Sequence, residues 1–196
     1  MDEKTTERSY FEKVAGDRCY LSPIRTDDAS RYVEWLSDPE VAINLRTAQL
    51  ILTMPSELEA LDRLSKSNEV FAIVAREETG DTLIGNCGLH KKDQLDGIAE
   101  CGIFIGDKSY WNRGFGTEAL TLLLDFAFSI LNLYNVQLEV FEYNKRAMRC
   151  YEKVGFKEIG RRRGARIVAG SRYDVIYMDM IAEEFKKPYH VERFLG

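Results

Sequence analysis

Trp111-Asn112-Arg113-Gly114-Phe115-Gly116-Thr117-Glu118-Ala119 is the stretch on which the reading of this chain turns. A strand-like run ends just before it, at Ile103-Phe104-Ile105, and an apolar helical pattern begins inside it. Gly114 and Gly116 let the backbone turn sharply and bring several N–H groups to face one point. The helix that follows adds its own unpaired N–H groups and the positive end of its dipole. Together these make an anion cradle whose natural guest is a pyrophosphate. A plain tight turn before a helix is the alternative.

The local pattern has rival owners. A Walker A loop needs Gly-Lys followed by Ser or Thr, and here Gly116 is followed by Thr117-Glu118, which excludes it. A Rossmann fingerprint is met by Gly114, Gly116 and Ala119, with Glu139 twenty residues beyond Ala119. Against it, the polar stretch Gly106-Asp107-Lys108-Ser109-Tyr110-Trp111 separates the strand from the glycines. The strand also follows several others instead of opening a βαβ repeat. NAD binding stays as an alternative.

The stretch resembles the acetyl-CoA site of the GNAT N-acetyltransferases, roughly [QR]-x-x-G-x-[GA], with Trp111 where many members carry Gln or Arg. Tyr110-Trp111 through Glu118-Ala119 is similar to the RimJ/RimL-type branch, in which Y-W-x-x-G-[FY]-[GA]-T-E-A is common. Trp35-Leu36-Ser37-Asp38-Pro39-Glu40-Val41 and the segment Asn144 to Phe156 resemble two further stretches of that branch, in the same order. The resemblance implies an α+β fold, a mixed and mostly antiparallel sheet flanked by helices, and acetyl-CoA as cosubstrate. It places Arg113, Gly114, Phe115, Gly116 and Thr117 at the pyrophosphate, and the backbone of Ile103, Phe104 and Ile105 along the pantetheine arm. It implies a small-molecule amine or a protein N-terminus as acceptor, and a homodimer as the family's mild expectation. A non-catalytic CoA-binding module of the same fold is a further alternative.

The chain has 196 residues, enough for one domain with its own core. Residues 1–17 read as a polar, loosely ordered leader, 18–182 as the domain and 183–196 as a tail. No apolar run approaches the roughly 18 residues of a membrane span, and Met1-Asp2-Glu3-Lys4 is not a signal peptide. The four scattered cysteines read as free thiols of a cytoplasmic protein, and two histidines without paired cysteines suggest no metal site. A net charge of −5 argues against nucleic acid and suits a cationic substrate.

Periodicity predicts a strand at Cys19–Ile24, ended by Pro23, then a helix capped by Thr26 with Ala29, Tyr32, Val33 and Leu36 inward. A second helix carries a capping box of Ser56 and Glu59 and buries Leu58, Leu61 and Leu64. Strands follow at Val70–Arg76, Thr82–Leu89 and Gly97–Ile105. The helix Thr117–Leu131 reads as two-faced, with Leu120, Leu123, Leu124, Ala127 and Leu131 opposite Thr121, Asp125, Ser129 and Asn132. Val136–Phe141 is a strand, Asn144–Val154 a helix stopped by Gly155, and strands span about Phe156–Arg166 and Arg172–Ile181.

Acetyl transfer needs a neutral amine, a donor for the developing oxyanion and a proton for the leaving thiolate. A lysine-like amine is neutral only about once in 2,500 molecules at pH 7, an α-amine roughly once in seven. The resemblance makes Glu100 the candidate base, directly or through a water, since it lies in the stretch that in GNATs often carries a catalytic glutamate; it shares a strand face with Gly102 and Phe104, where apolar neighbours would raise its pKa. The alternative is a glutamate turned to water. A backbone N–H of Ile103–Ile105 would meet the oxyanion. Tyr151 matches the tyrosine that acts as general acid in many GNATs; the alternative is a packed aromatic. Asn144, Met148 and Tyr151 share a helical face, so Asn144 is a candidate to line the cleft beside the pantetheine and also suits an N-cap. Arg161, Arg162, Arg163 and Arg166 read as a solvated strand face, or as a contact to a phosphate or an acidic substrate. Glu34, Asp38 and Glu40 are candidates for an amine vestibule by fold analogy.

Overall fold

In the computed structural model, which describes residues 10–186, the strands pair into one eight-stranded sheet. Strands β1 (Val14–Ala15) and β2 (Cys19–Pro23) lead into three helices, α1 (Ala29–Ser37), α2 (Pro39–Ala42) and α3 (Met54–Ser65). Strands β3 (Val70–Ala75), β4 (Thr82–Asp93) and β5 (Ile98–Ile105) complete an antiparallel meander on β1 and β2. Next come α4 (Phe115–Asp125), β6 (Asn135–Phe141), α5 (Lys145–Val154), β7 (Lys157–Val168) and β8 (Ser171–Ile181). The order across the sheet is β1-β2-β3-β4-β5-β6-β8-β7. Mostly antiparallel pairing is incompatible with a doubly wound dinucleotide fold, so the Rossmann match at the glycines is fortuitous.

The only parallel pair in this sheet is β5 with β6, and it lasts three residues: Ile98, Ala99 and Glu100 against Asn135, Val136 and Gln137. Beyond Glu100 each strand follows its own antiparallel partner. Gly102–Ile105 stay on β4, while Leu138–Phe141 stay on β8. The two diverge, and a gap opens in the middle of the sheet.

Strand alternation sorts the core onto two faces. Ala99, Cys101, Val136, Leu138 and Val140 pack with α4 and Tyr151 of α5. Tyr20, Ala72, Val74 and Leu83 pack with Tyr32 and Trp35 of α1 and Leu61 of α3, and Phe104 packs against that second cluster. The gap therefore connects an α4–α5 side to an α1–α3 side.

Several local expectations change. Val14 and Ala15 add a strand to the polar leader, and Val14 is buried. Residues 1–9 and 187–196 lie outside the described residues. Thr26 caps nothing: it begins a 3₁₀ turn without a side-chain cap, and α1 buries Ala29, Tyr32 and Trp35. The capping box sits three residues earlier than expected, with Thr53 as N-cap and Ser56 answering it. Advancing the start puts Glu57, Leu61 and Leu64 on one face and leaves Leu58 exposed. Helix α4 is not two-faced, because Thr121 and Asp125 are buried with its leucines. Their partners lie within the same segment: Thr121 donates to the Thr117 carbonyl at 2.8 Å, and Ser129 donates to Asp125 at 2.8 Å. A π-helical turn, Phe126–Ile130, continues it.

Candidate active site

The gap is the mouth of a cleft of about 440 Å³, within the range of small-ligand sites. One end is built by Asn112, Gly114, Gly116 and Thr117 together with Arg146, Arg149, Cys150 and Lys153 of α5. The other is built by Val41, Asn44, Leu45, Arg46, His90, Glu100, Glu139 and Phe141. Ile103, Phe104, Ile105, Asn144 and Tyr151 lie along its walls.

The glycine loop does what its composition promises, with the work divided unequally. Gly114 has φ +88° and is the N-cap of α4, a left-handed position at which a Cβ would also lie 2.8 Å from the Arg18 guanidinium. Gly116 has no such strain, and a Cβ there would make ordinary contacts, 3.7 Å to Cys150 Sγ and 3.8 Å to Ile105 Cγ1. Its bare backbone keeps the cleft open instead of making the turn. No side chain caps α4, so its first N–H groups remain available to an anion.

Arg113 and Phe115 differ from expectation. Their side chains turn out of the cleft, where the Arg113 guanidinium lies over Tyr110 and Phe115 at 5.1 and 5.4 Å. Only their backbone can serve the cradle. Glu118 locks the loop from behind, accepting from the Arg18 and Cys19 amides and from Arg18 Nε at 2.8, 3.2 and 2.9 Å. Trp111 donates its indole N–H to the Ile105 carbonyl at 2.8 Å, and Arg146 lies over its ring at 3.3 Å. This closes one end of β5's free edge. Alternation along the strand sends the Ile103 polar groups to the same, gap-facing side, while Phe104 is paired with Asn86 of β4.

Tyr151 is buried on α5 and faces the cleft, and among the described residues no hydrogen bond engages its hydroxyl. Burial pushes its phenol well above the ordinary range, with smaller contributions from Cys101 and Cys150, so it stays protonated. Asn144 is the N-cap of α5, accepting from the Ala147 amide at 3.1 Å, and it lines the cleft as well. Met148 leaves that face and packs against the core.

Glu100 lines the cleft on the α1–α3 side, but not among apolar neighbours. Its carboxylate pairs with Lys91 at 2.8 Å, and His90 stands opposite it on β4. Lys91 comes from an extension of β4 past the expected end at Leu89, at a shift in register.

Glu34, Asp38 and Glu40, expected to line an amine vestibule, are not among the residues lining the cleft. Asp38 caps α2, and both Asp38 and Glu40 pair with Lys108, at 2.6 and 2.9 Å. Trp35 covers Gly106, where a Cβ would come within 2.3 Å of its indole. This motif clamps α1 and α2 onto the end of β5. The arginine cluster also divides. Arg161 pairs with Glu158 at 2.7 Å at the surface, and Arg162 and Arg163 are exposed. Arg166 crosses to donate to the Leu45 carbonyl at 3.2 Å, with its guanidinium 4.6 Å from the Phe141 ring centre.

Arg46 and Phe141 escaped the sequence reading as site residues, and Glu139 entered it only as the acidic residue of the Rossmann match. Arg46 and Glu139 form an ion pair across 93 residues, and no local pattern announces a contact of that range. Glu139 had a period-two signal, since Val136, Leu138 and Val140 are buried and Glu139 must face the other way.

Among the described residues no helix is long and apolar enough to cross a membrane, and no group of three or more metal-type ligands occurs. The family model described as "Acetyltransferase (GNAT) domain" matches residues 18–157. The chain is 27% identical over 179 residues to N-acetyltransferase p20 of Bacillus licheniformis, covering 89% of this chain and 99% of that one. It is 23% identical over 155 residues to the alpha/beta-tubulin-N-acetyltransferase 9 of Mus musculus, covering 74% and 64%. In fold it is similar to the spermidine N-acetyltransferase of Vibrio cholerae solved with CoA and spermine. The TM-score is 0.76 at 21% identity, over 87% and 99% of the two chains.

Proposed function

The chain belongs to the GNAT acetyltransferase family, and we propose that it moves an acetyl group from acetyl-CoA to a primary amine by direct attack within a ternary complex. The observation that carries this reading is the gap between β5 and β6, which joins the glycine loop on the α4–α5 side to two carboxylates on the other. Acetyl-CoA, when bound, supplies an activated acyl group. The loop N–H groups, the uncapped start of α4 and the open space at Gly116 suit its diphosphate. Arg146, Arg149 and Lys153 add positive charge at that end.

The Ile103 backbone, free of β6 at the gap, orients the pantetheine arm and offers an N–H where negative charge develops on the carbonyl oxygen. Glu100 takes a proton from the incoming amine, directly or through a water, on the acceptor side. Tyr151 gives a proton to the leaving sulfur on the donor side. Base and acid thus stand on opposite sides of the gap, as direct attack requires. Tyr110-Trp111, with its indole hydrogen bond to β5, supports a place in the RimJ/RimL-type branch. Four free cysteines support a cytoplasmic location.

The acceptors in the names of the mouse and Vibrio cholerae proteins are tubulin and spermidine, both amine-bearing. Here the acceptor is a protein N-terminal α-amine, a polyamine or an amino sugar. Calorimetry with acetyl-CoA and with NAD is the first test, and binding is expected for acetyl-CoA alone. CoA release measured against spermidine, amino sugars and N-terminal peptides then identifies the acceptor. No acetyl-CoA binding at millimolar concentration would sink the reading.

A further inference from the structure

Two carboxylates line the acceptor end of the cleft, and each already holds a cation. Glu100 side-chain exposure is 21% and that of its partner Lys91 is 72%; Glu139 is 23% exposed and its partner Arg46 63%. Each pair thus joins a sheltered anion to a mostly solvated base from an outer segment. Lys91 also feels the charges of Glu139 and Arg46, so the four groups form one cluster. At Glu139 the arrangement goes beyond an ion pair. The Arg46 guanidinium also lies over the Phe141 ring, 5.6 Å from its centre. A carboxylate beside an aromatic face is a receptor for an organic cation.

Resting on the acetyltransferase reading, we infer that Glu139 and Phe141 form a docking site for an ammonium group of the acceptor. Arg46 is its resident occupant, displaced when the acceptor binds. Departure of the Arg46 side chain frees the Glu139 carboxylate, while Arg166 keeps its place 4.6 Å from the Phe141 ring centre. The neighbouring backbone is pinned, because Tyr143 donates its hydroxyl to the Ile43 carbonyl at 2.7 Å and Arg166 holds the Leu45 carbonyl. Arg46 then sets a threshold for acceptors: a cation must compete for the site, and a neutral molecule gains nothing by entering it. Because Arg46 is well solvated, its hold on the site is weak, and removing it should change affinity by about two- to five-fold.

The test uses 1,4-diaminobutane as probe, titrated by NMR into CoA-saturated protein. Arg46→Gln is expected to bind it about two- to five-fold more tightly than wild type. Arg46→Lys should stay near wild type, Glu139→Gln should bind more weakly, and the double variant should match Glu139→Gln. Weaker or unchanged binding in Arg46→Gln would overturn the inference. So would a gain shared by Arg46→Lys, a gain that persists in the double variant, or no measurable binding to any of them. Acetyl-CoA affinity is measured on the same samples. Its absence defeats the acetyltransferase reading, while the probe titrated into CoA-free protein still decides the role of Arg46.

Discussion

A leaving thiolate needs a donor that is protonated at every working pH, and the buried phenol of Tyr151 meets that condition. Tyr151→Phe should lower kcat by about 10²-fold or more and leave the KM for acetyl-CoA nearly unchanged, because the hydroxyl matters in the transition state. With the phenol pushed up by burial, the wild-type profile should show no loss of rate from its ionisation below about pH 10. Glu100→Gln should reduce kcat/KM for the amine most at low pH, and the deficit should shrink as pH approaches the amine's own pKa. A deficit flat across about pH 6–9 would reassign Glu100 to holding the substrate. The strand and helix that carry Glu100 and Tyr151 were legible from periodicity, whereas the roles expected of the two residues came from the family resemblance. The Lys91 partner of Glu100 was not legible, because it depends on how far β4 runs past Leu89.

At the level of elements, the glycine loop separates folding from binding. Gly116→Ala should raise the acetyl-CoA dissociation constant with little change in melting temperature, since the protein itself leaves room for a Cβ, and Gly116→Val should raise the constant further. Gly114→Ala should impair both, because the left-handed conformation costs an L-residue roughly 1–2 kcal/mol and the methyl group meets Arg18. Paired thermal melts and calorimetry on the two alanine variants check this division, and equal melting temperatures would refute it. Glu118, part of the motif that gave the loop away, serves as a brace between α4 and β2, and nothing local to Glu118 foretells an acceptor role toward residues a hundred positions earlier. The limits of α5 were readable from its spacing and from Gly155, whereas α1 and α4 shifted by two or more residues and α2 was not foreseen. The start of α3 was not readable either, since Thr53 and Ser56 both suit a cap and only tertiary packing selects between them.

Across the whole molecule, the meander and the later alternation of strand and helix were readable from turn residues and periodicity. The gap in the sheet was not, because it arises from competition among three strand pairings that no single segment encodes. The same core predicts how stability responds to alkali. Burial raises the thiols of Cys19, Cys87 and Cys101, that of Cys101 to about 12, and raises the phenols of Tyr20 and Tyr32. The folded state keeps these protons after the unfolded chain has begun to lose them. Their contribution is therefore intact below about pH 8.5 and falls as pH climbs toward the folded values. Melting temperature should drop steadily between about pH 9 and 11, and Cys101→Ala should flatten the slope whatever it does to the starting value. An unchanged slope would show that other groups control alkaline unfolding.

The opening between β5 and β6 also bears on how such a protein changes over time. On the acetyltransferase reading, it makes the sheet a partition with a window, and the acyl donor's side meets the acceptor's side there. If the reading holds, exchanges at Val41, Asn44, Leu45 and Arg46 would retune which acceptor is admitted and leave the loop, α4 and α5 to the same acyl carrier.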